Sequence, residues 1–317
     1  MVRSGIGLVA AAAIAAASSG CGFGPGESTS GEATLTVTRD YGAEPILEAT
    51  ESDPTESETV IRFLDREADV GTRYGGGFVQ SIDGISGELA GGRSRDWFFF
   101  VNGIESPRGS ADAAVRAGDR IWWDYRDWTD AMRAPAVVGS WPEPFAQASA
   151  GTDRLPVRIV CGGERPACEE VAERLSEEGV EASVEAGRRT EASADEPAAL
   201  RLLVGPWARL HSDDVADQLD EGPATSGVFA RFERDRGRYE LVALDRRASQ
   251  ARTFGAGAGL VAGLREGAEP PTWLVTGTDA RGVREAVAVL DAEHLADHYA
   301  VLAADGAGLA LPAGGGA

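Results

Sequence analysis

Hydrophobic positions along the chain change period several times, and each change marks an element. Residues 34–38 alternate Leu35 and Val37 with threonines, Asp40-Tyr41-Gly42 is a turn-forming run, and residues 45–47 are extended again, which predicts an opening hairpin. Asp53-Pro54-Thr55 then reads as a helix start, since Val60, Ile61, Phe63 and Leu64 recur at helical spacing before Glu67. Extended runs follow at residues 74–84, 97–101 and 121–128. The first contains Gly75, Gly76 and Gly77, and the second ends in Asn102-Gly103, both of which tolerate the positive φ of a tight turn. Side chains alternate across a strand, so Ile121, Trp123 and Tyr125 share one face while Trp122, Asp124, Arg126 and Trp128 share the other. The apolar set, together with Trp97, Phe99 and Val101, is predicted to pack on the helix. The mixed set carries charge and is predicted to face solvent.

From residue 133 the periodicity lapses. Residues 133–154 are rich in Ala, Pro, Gly and Ser, hold Trp141 and Phe145, and read as a linker whose aromatics dock on a domain. Beyond it, β-branched and leucine runs at 157–160, 180–184, 200–204, 228–232, 239–244 and 272–276 alternate with helical patterns near 168–178, 212–219 and 280–290. Residues 304–317 are small and read as a disordered tail. A chain of 317 residues is long for one core and comfortable for two. The fold class expected is α+β. Residues 33–132, in the order hairpin, helix, strands, suit a mixed sheet wrapped around one helix, the β-grasp arrangement, and residues 155–303 suit an α/β domain with a mixed sheet.

The N-terminus changes the picture of where this protein works. After Arg3, an apolar stretch over residues 6–17 closes on Ser18-Ser19-Gly20-Cys21. It is shorter than the roughly 20 apolar residues that cross a bilayer, so residues 1–21 read as a signal peptide. Small residues before a cysteine resemble the lipobox of bacterial lipoproteins, in which the thiol receives a diacylglyceryl group and becomes the new N-terminus. That resemblance makes Cys21 the candidate lipidation site and places the chain on the extracytoplasmic face of the cell membrane. The alternative is an ordinary signal peptide cut nearby. Residues 22–32, rich in Gly, Ser and Glu, read as a flexible tether. In an oxidising compartment Cys161 and Cys168 are a candidate disulfide, with a pair of free thiols as the alternative. The net charge is −21 and every basic residue is arginine, with no basic stripe, which argues against nucleic acid as a partner.

Three segments then carry a resemblance: Gly77-Phe78-Val79-Gln80-Ser81-Ile82-Asp83-Gly84, Trp97-Phe98-Phe99-Phe100-Val101-Asn102-Gly103, and the run from Gly118-Asp119 through Ile121-Trp122-Trp123-Asp124-Tyr125 to Trp128. They look like the signature segments of a bacterial family, domain of unknown function 4430. That family is similar to the C-terminal β-grasp domain of transcobalamin and intrinsic factor, and the resemblance covers about residues 33–130. In the vitamin-transport proteins this domain closes over one side of a corrinoid, largely through backbone and apolar contacts. The resemblance therefore implies a cobalamin-like ligand, and the candidate ligand-binding residues are Tyr74, Gly76, Phe78, Phe98, Trp122 and Trp128. No other cofactor is expected.

Other candidate chemistry is sparse. Gly277-Thr278-Asp279-Ala280-Arg281-Gly282 opens a helix after a strand and has the form of an anion site, but Asp279 is more simply an N-cap. His294 and His298, with Asp297 between them, lack a third ligand or a catalytic glutamate. The sequence shows no serine elbow, no cysteine paired with a base and no phosphate-binding loop, so no enzymatic activity is expected. The function expected is a membrane-anchored lipoprotein that binds a small molecule through its first domain. The rival is a structural or protein-interaction lipoprotein of the cell envelope with no small-molecule ligand. Burial of Trp122 and Trp128 under residues 151–317 separates the two.

Overall fold

The computed structural model describes residues 28–73, 77–147, 154–186 and 198–314. The chain is a mixed α/β, sheet-rich protein. It opens with the hairpin β1 (Glu32–Arg39) and β2 (Glu44–Ser52), then α1 (Val60–Glu67). A small sheet of β3 (Val70–Arg73), β4 (Phe78–Ile82) and β5 (Ile85–Ser86) follows, and then β6 (Glu88–Ala90), β7 (Arg93–Val101), β8 (Ile104–Glu105) and β9 (Arg120–Asp127). The N-terminal sheet has the order β2-β1-β9-β7-β6, with β8 also on β7. Its central pair β1 and β9 is parallel and the remaining pairs are antiparallel. The turn from β7 to β8 is Asn102-Gly103, at φ of 54° and 74°. Helix α1 begins at Val60 and not at Asp53, because Asp53 sits at φ 51° and its carboxylate accepts the Gly31 N–H, leaving Thr59 as the N-cap position.

The second half contains β10 (Val157–Cys161), α2 (Arg165–Glu177), β11 (Ala182–Ala186), β12 (Leu200–Pro206), α3 (Trp207–Leu210), α4 (Asp214–Asp217) and α5 (Pro223–Ser226). Next come β13 (Ala230–Asp235), β14 (Arg238–Leu244), β15 (Gln250–Phe254), β16 (Gly259–Leu264), β17 (Thr272–Gly277), α6 (Ala280–Ala288), α7 (Ala292–Leu295), β18 (Ala300–Ala304) and β19 (Ala307–Leu311). The C-terminal sheet has the order β11-β10-β12-β17-β16-β18-β19, while β13, β14 and β15 form a separate antiparallel sheet. Strands β11, β10, β12 and β17 run parallel, and β16, β18 and β19 add antiparallel neighbours.

Two expectations are corrected here. The tail expected from residue 304 is instead strand β19, joined to β18 through Asp305-Gly306 at φ of 53° and 76°, with Leu311 and Ala313 buried. The segment expected as a linker is largely interior: Ala134, Ala136, Val137, Val138, Trp141 and Phe145 are all buried, and Trp141 and Phe145 place their rings 5.8 Å and 5.0 Å from Trp273. Their apolar area outweighs the loop-like composition around them.

Burial divides into three layers. Val60, Phe63 and Leu64 of α1 pack on Leu35, Val37, Ile121 and Trp123. On the far side of the molecule, α2 and α6 pack on Ile159, Leu202, Trp273 and Val301 of the C-terminal sheet. Between the two sheets lies a shared core. It takes Phe100 and Trp122 from the N-terminal sheet, Tyr41 from the turn between β1 and β2, and Leu203, Phe229, Leu274, Tyr299 and Leu302 from the second half.

Candidate functional site

The strand β9 positions the residues that the sequence singled out, and its neighbours decide what each of them does. Trp122, Asp124 and Arg126 do not face solvent as expected: Trp122 is 2% exposed, and Asp124 and Arg126 are fully buried. The reason is that the segment after β9, around residues 131–138, and Tyr299 and Phe229 of the second half lie against this face. The Trp122 ring meets Tyr299 at 5.3 Å and Phe100 at 5.3 Å, and its Nε1 donates to Thr38 Oγ1 at 2.8 Å. Gly42 is required beneath it, since a Cβ there would lie 1.7 Å from the Asp297 carbonyl oxygen and its φ is +83°.

A buried carboxylate is tolerated only when its oxygens are satisfied. Asp124 accepts from Thr38 Oγ1 at 2.7 Å, Tyr41 N at 3.0 Å, Gly42 N at 3.2 Å and Tyr299 OH at 2.9 Å. Burial still pushes its carboxyl above the usual range, against those donors and the Arg126 guanidinium. Burial also pushes the Tyr41 phenol up to about 12 and raises the Tyr299 phenol well above the ordinary tyrosine range. Arg126 donates to the carbonyls of Ala131 at 2.6 Å and Met132 at 3.1 Å, and its guanidinium lies 3.9 Å over the Phe98 ring. Trp122 thus belongs to the junction between the sheets, and Phe98, half-buried, is covered on one face by the Arg126 guanidinium.

The alternation does not carry through to Trp128. Strand β9 ends at Asp127, whose carboxylate accepts the Thr129 N–H, and the chain turns so that Trp128 lies beside Phe78. These two residues border a groove of about 330 Å³ together with Leu89, and Arg73, Arg95 and Asp96 stand at its margin. Phe78 is 41% exposed and Leu89 78% exposed, while Trp128 is half-buried. Burial raises the Asp96 carboxyl, although the Trp97 amide donates to it. Tyr74 and Gly76 lie outside the described residues, as does Cys21. The structure therefore brings Phe78 and Trp128 together and separates both from Phe98 and Trp122.

In the second half, Cys161 at the end of β10 and Cys168 in α2 form a disulfide, with Cα atoms 5.9 Å apart. Asp279 caps α6 by accepting the Gly282 N–H at 2.9 Å and also accepts the Gly257 N–H at 3.0 Å, so its own carboxylate fills the position an anion would take. His294 is held by Asp291 at 2.9 Å. Helix α7 ends at Leu295 and Asp297 adopts φ 57°, so His298 does not share a helical face with His294. His298 is instead desolvated, which lowers its pKa, and burial with the nearby carboxylates of Glu48 and Asp124 pushes Asp297 up to about 6.

What sequence reasoning missed is the junction itself: Thr38, Tyr41 and Tyr299 were not singled out. The available signal was β9, where aromatics stand on both faces, the mark of a strand covered twice. Comparison with known proteins finds no match among curated proteins. A family model described as Domain of unknown function (DUF4430) matches residues 57–127, the stretch from just before α1 to the end of β9, so a DUF4430 domain is found in this part of the chain.

Proposed function

We propose that the chain is an extracytoplasmic lipoprotein, anchored through Cys21, whose N-terminal sheet is a β-grasp domain akin to that of transcobalamin and binds a cobalamin-like molecule, gripping an apolar edge of it. The ligand site is the groove bordered by Phe78, Leu89 and Trp128, not the inner face of the sheet. One observation carries this reading. Among the described residues only Phe78, Leu89 and Met132 are large exposed hydrophobics, and two of the three meet in one groove. Clustered exposed apolar groups with a polar margin are the usual form of an interaction site. A corrinoid is the ligand class that the family resemblance favours.

The test is tryptophan fluorescence of the protein titrated with cobalamin and with cobinamide. Trp128 reports the groove, so saturable quenching is expected, with affinity at least 10-fold weaker in Phe78→Ala and Leu89→Glu. No quenching by either compound, or equal quenching in both variants, rejects the corrinoid reading. For the anchor, Cys21→Ser should release the protein from the membrane fraction. The burial of Trp122 and Arg126 favours a second reading, a protein-interaction lipoprotein with no small-molecule ligand, in which the same groove receives an apolar side chain of an envelope protein.

A further inference from the structure

We propose that a cleft at the carboxyl ends of β10 and β12 is a second binding site, separate from the groove above, and that it takes a small amphipathic carboxylate. The topology creates it. From β10 the chain passes through α2 to β11 on one side, whereas β12 lies on the other side of β10 and leads into α3. Helix α2 buries Val171 and Leu175 in the outer core, and α3 buries Trp207 and Leu210 in the core between the sheets, so the two connections leave on opposite faces. Diverging connections of this kind open a crevice beyond the strand ends, where ligands of open α/β sheets bind.

The walls supply the chemistry. The cleft measures about 400 Å³, within the range of small-molecule sites. Val160, Leu203 and Leu210 form a buried apolar floor, and Arg165 and Arg209 stand at the mouth. Among the described lining residues Asp213 is the one carboxylate, and it is already ion-paired with Arg201. Arg165 pairs with Glu169 at 2.9 Å, whereas Arg209 has no carboxylate partner among the described residues. The disulfide ties Cys161, which lines the cleft, to Cys168 in the first turns of α2 and so holds the loop between them as a fixed wall. An apolar floor with a guanidinium at its rim matches a hydrocarbon body ending in a carboxylate, since guanidinium and carboxylate pair through two parallel hydrogen bonds.

Calorimetric titration of the protein with octanoate and with 1-octanol tests this. Octanoate should bind at least 10-fold more tightly than the alcohol. Both Arg209 and Ala186 are exposed, so Arg209→Glu and Ala186→Trp should keep the native circular dichroism and melting point. Each should weaken octanoate binding at least 10-fold, the first by reversing the charge and the second by filling the cleft. Phe78→Ala should leave it unchanged. No binding of octanoate, equal affinity for the alcohol, or native affinity in both cleft variants overturns the proposal. Loss of binding in Phe78→Ala alone also overturns it, by moving the ligand to the groove of the N-terminal sheet.

Discussion

The two faces of β9 are both interior, and they are made interior in different ways. On one, Ile121 and Trp123 meet the α1 residues Val60, Phe63 and Leu64, which lie within the same stretch of chain. On the other, Trp122, Asp124 and Arg126 meet Tyr299 and the segment after β9, through contacts that reach 175 residues along the sequence. The first face is apolar and needs only area and fit. The second contains charged groups and needs named donors and acceptors, so it fixes one register between the two sheets, whereas apolar packing tolerates some slippage. A charged residue on a strand is therefore not a sign of solvent when enough of the remaining chain is available to satisfy it.

The largest effects should come from the two tryptophans. Trp122→Ala and Trp123→Ala should each cost about 3–5 kcal/mol, because both side chains are 2% exposed and each leaves a cavity. Urea denaturation measures this, and a Trp122→Ala protein of native stability breaks the comparison. Next is Glu143, buried in the segment between the sheets. Desolvation raises its carboxyl to about 7, from an ordinary value of 4.5. Between those pH values the folded protein holds a proton that the unfolded chain has lost, so stability falls as pH rises through that window and stays lower above it. Glu143→Gln removes this dependence. Its gain over the parent protein should grow from near zero at pH 4.5 to on the order of 2 kcal/mol at pH 8, and a pH-independent difference in melting rejects the assignment.

Smaller effects sharpen the same contrast. Tyr299→Phe removes one of the four donors to Asp124 and should cost about 1–2 kcal/mol, with no change in the packing of its ring. A cost near zero would mean that Asp124 is held adequately by Thr38 and the two amides alone. Phe78→Ala should cost less than about 1.5 kcal/mol, below either tryptophan, because the ring is 41% exposed, even as it weakens the proposed ligand contact. A large melting shift for Phe78→Ala would place that ring in the core.

Local pattern was sufficient wherever local contacts make the structure. The hairpin β1–β2, the Asn102-Gly103 turn and the core face of β9 follow from alternation and turn chemistry. So does the strand, helix, strand order from β10 to β11. Pattern failed where a partner lies far away in sequence. Nothing near Asp124 announces Tyr299, and the parallel pairing of the neighbouring strands β1 and β9 joins Leu35 to Ile121, positions far apart in the sequence. In β18 and β19 the difficulty was composition, since alanine and glycine pack weakly as strand residues and hid the alternation, although Asp305-Gly306 is a strong hairpin turn. The helix expected over residues 212–219 is only Asp214–Asp217, capped by Asp213 and followed by the turn at Gly222-Pro223. Of the candidate ligand residues, Phe78 and Trp128 meet and Phe98 and Trp122 do not join them. The strand period assigned faces correctly as far as Asp127, and the turn beyond it redirected Trp128.

The shared core between the sheets can be tested by the cooperativity of unfolding. Guanidinium denaturation followed by far-ultraviolet circular dichroism and by tryptophan fluorescence should give one coincident transition, because Trp122, Phe100 and Tyr41 are interior only while Tyr299 and Phe229 are folded over them. Trp122→Ala should move that whole transition to lower denaturant. Two separated transitions, with Trp122→Ala shifting only one of them, would show that the sheets fold independently and that the inner face of β9 is open in solution.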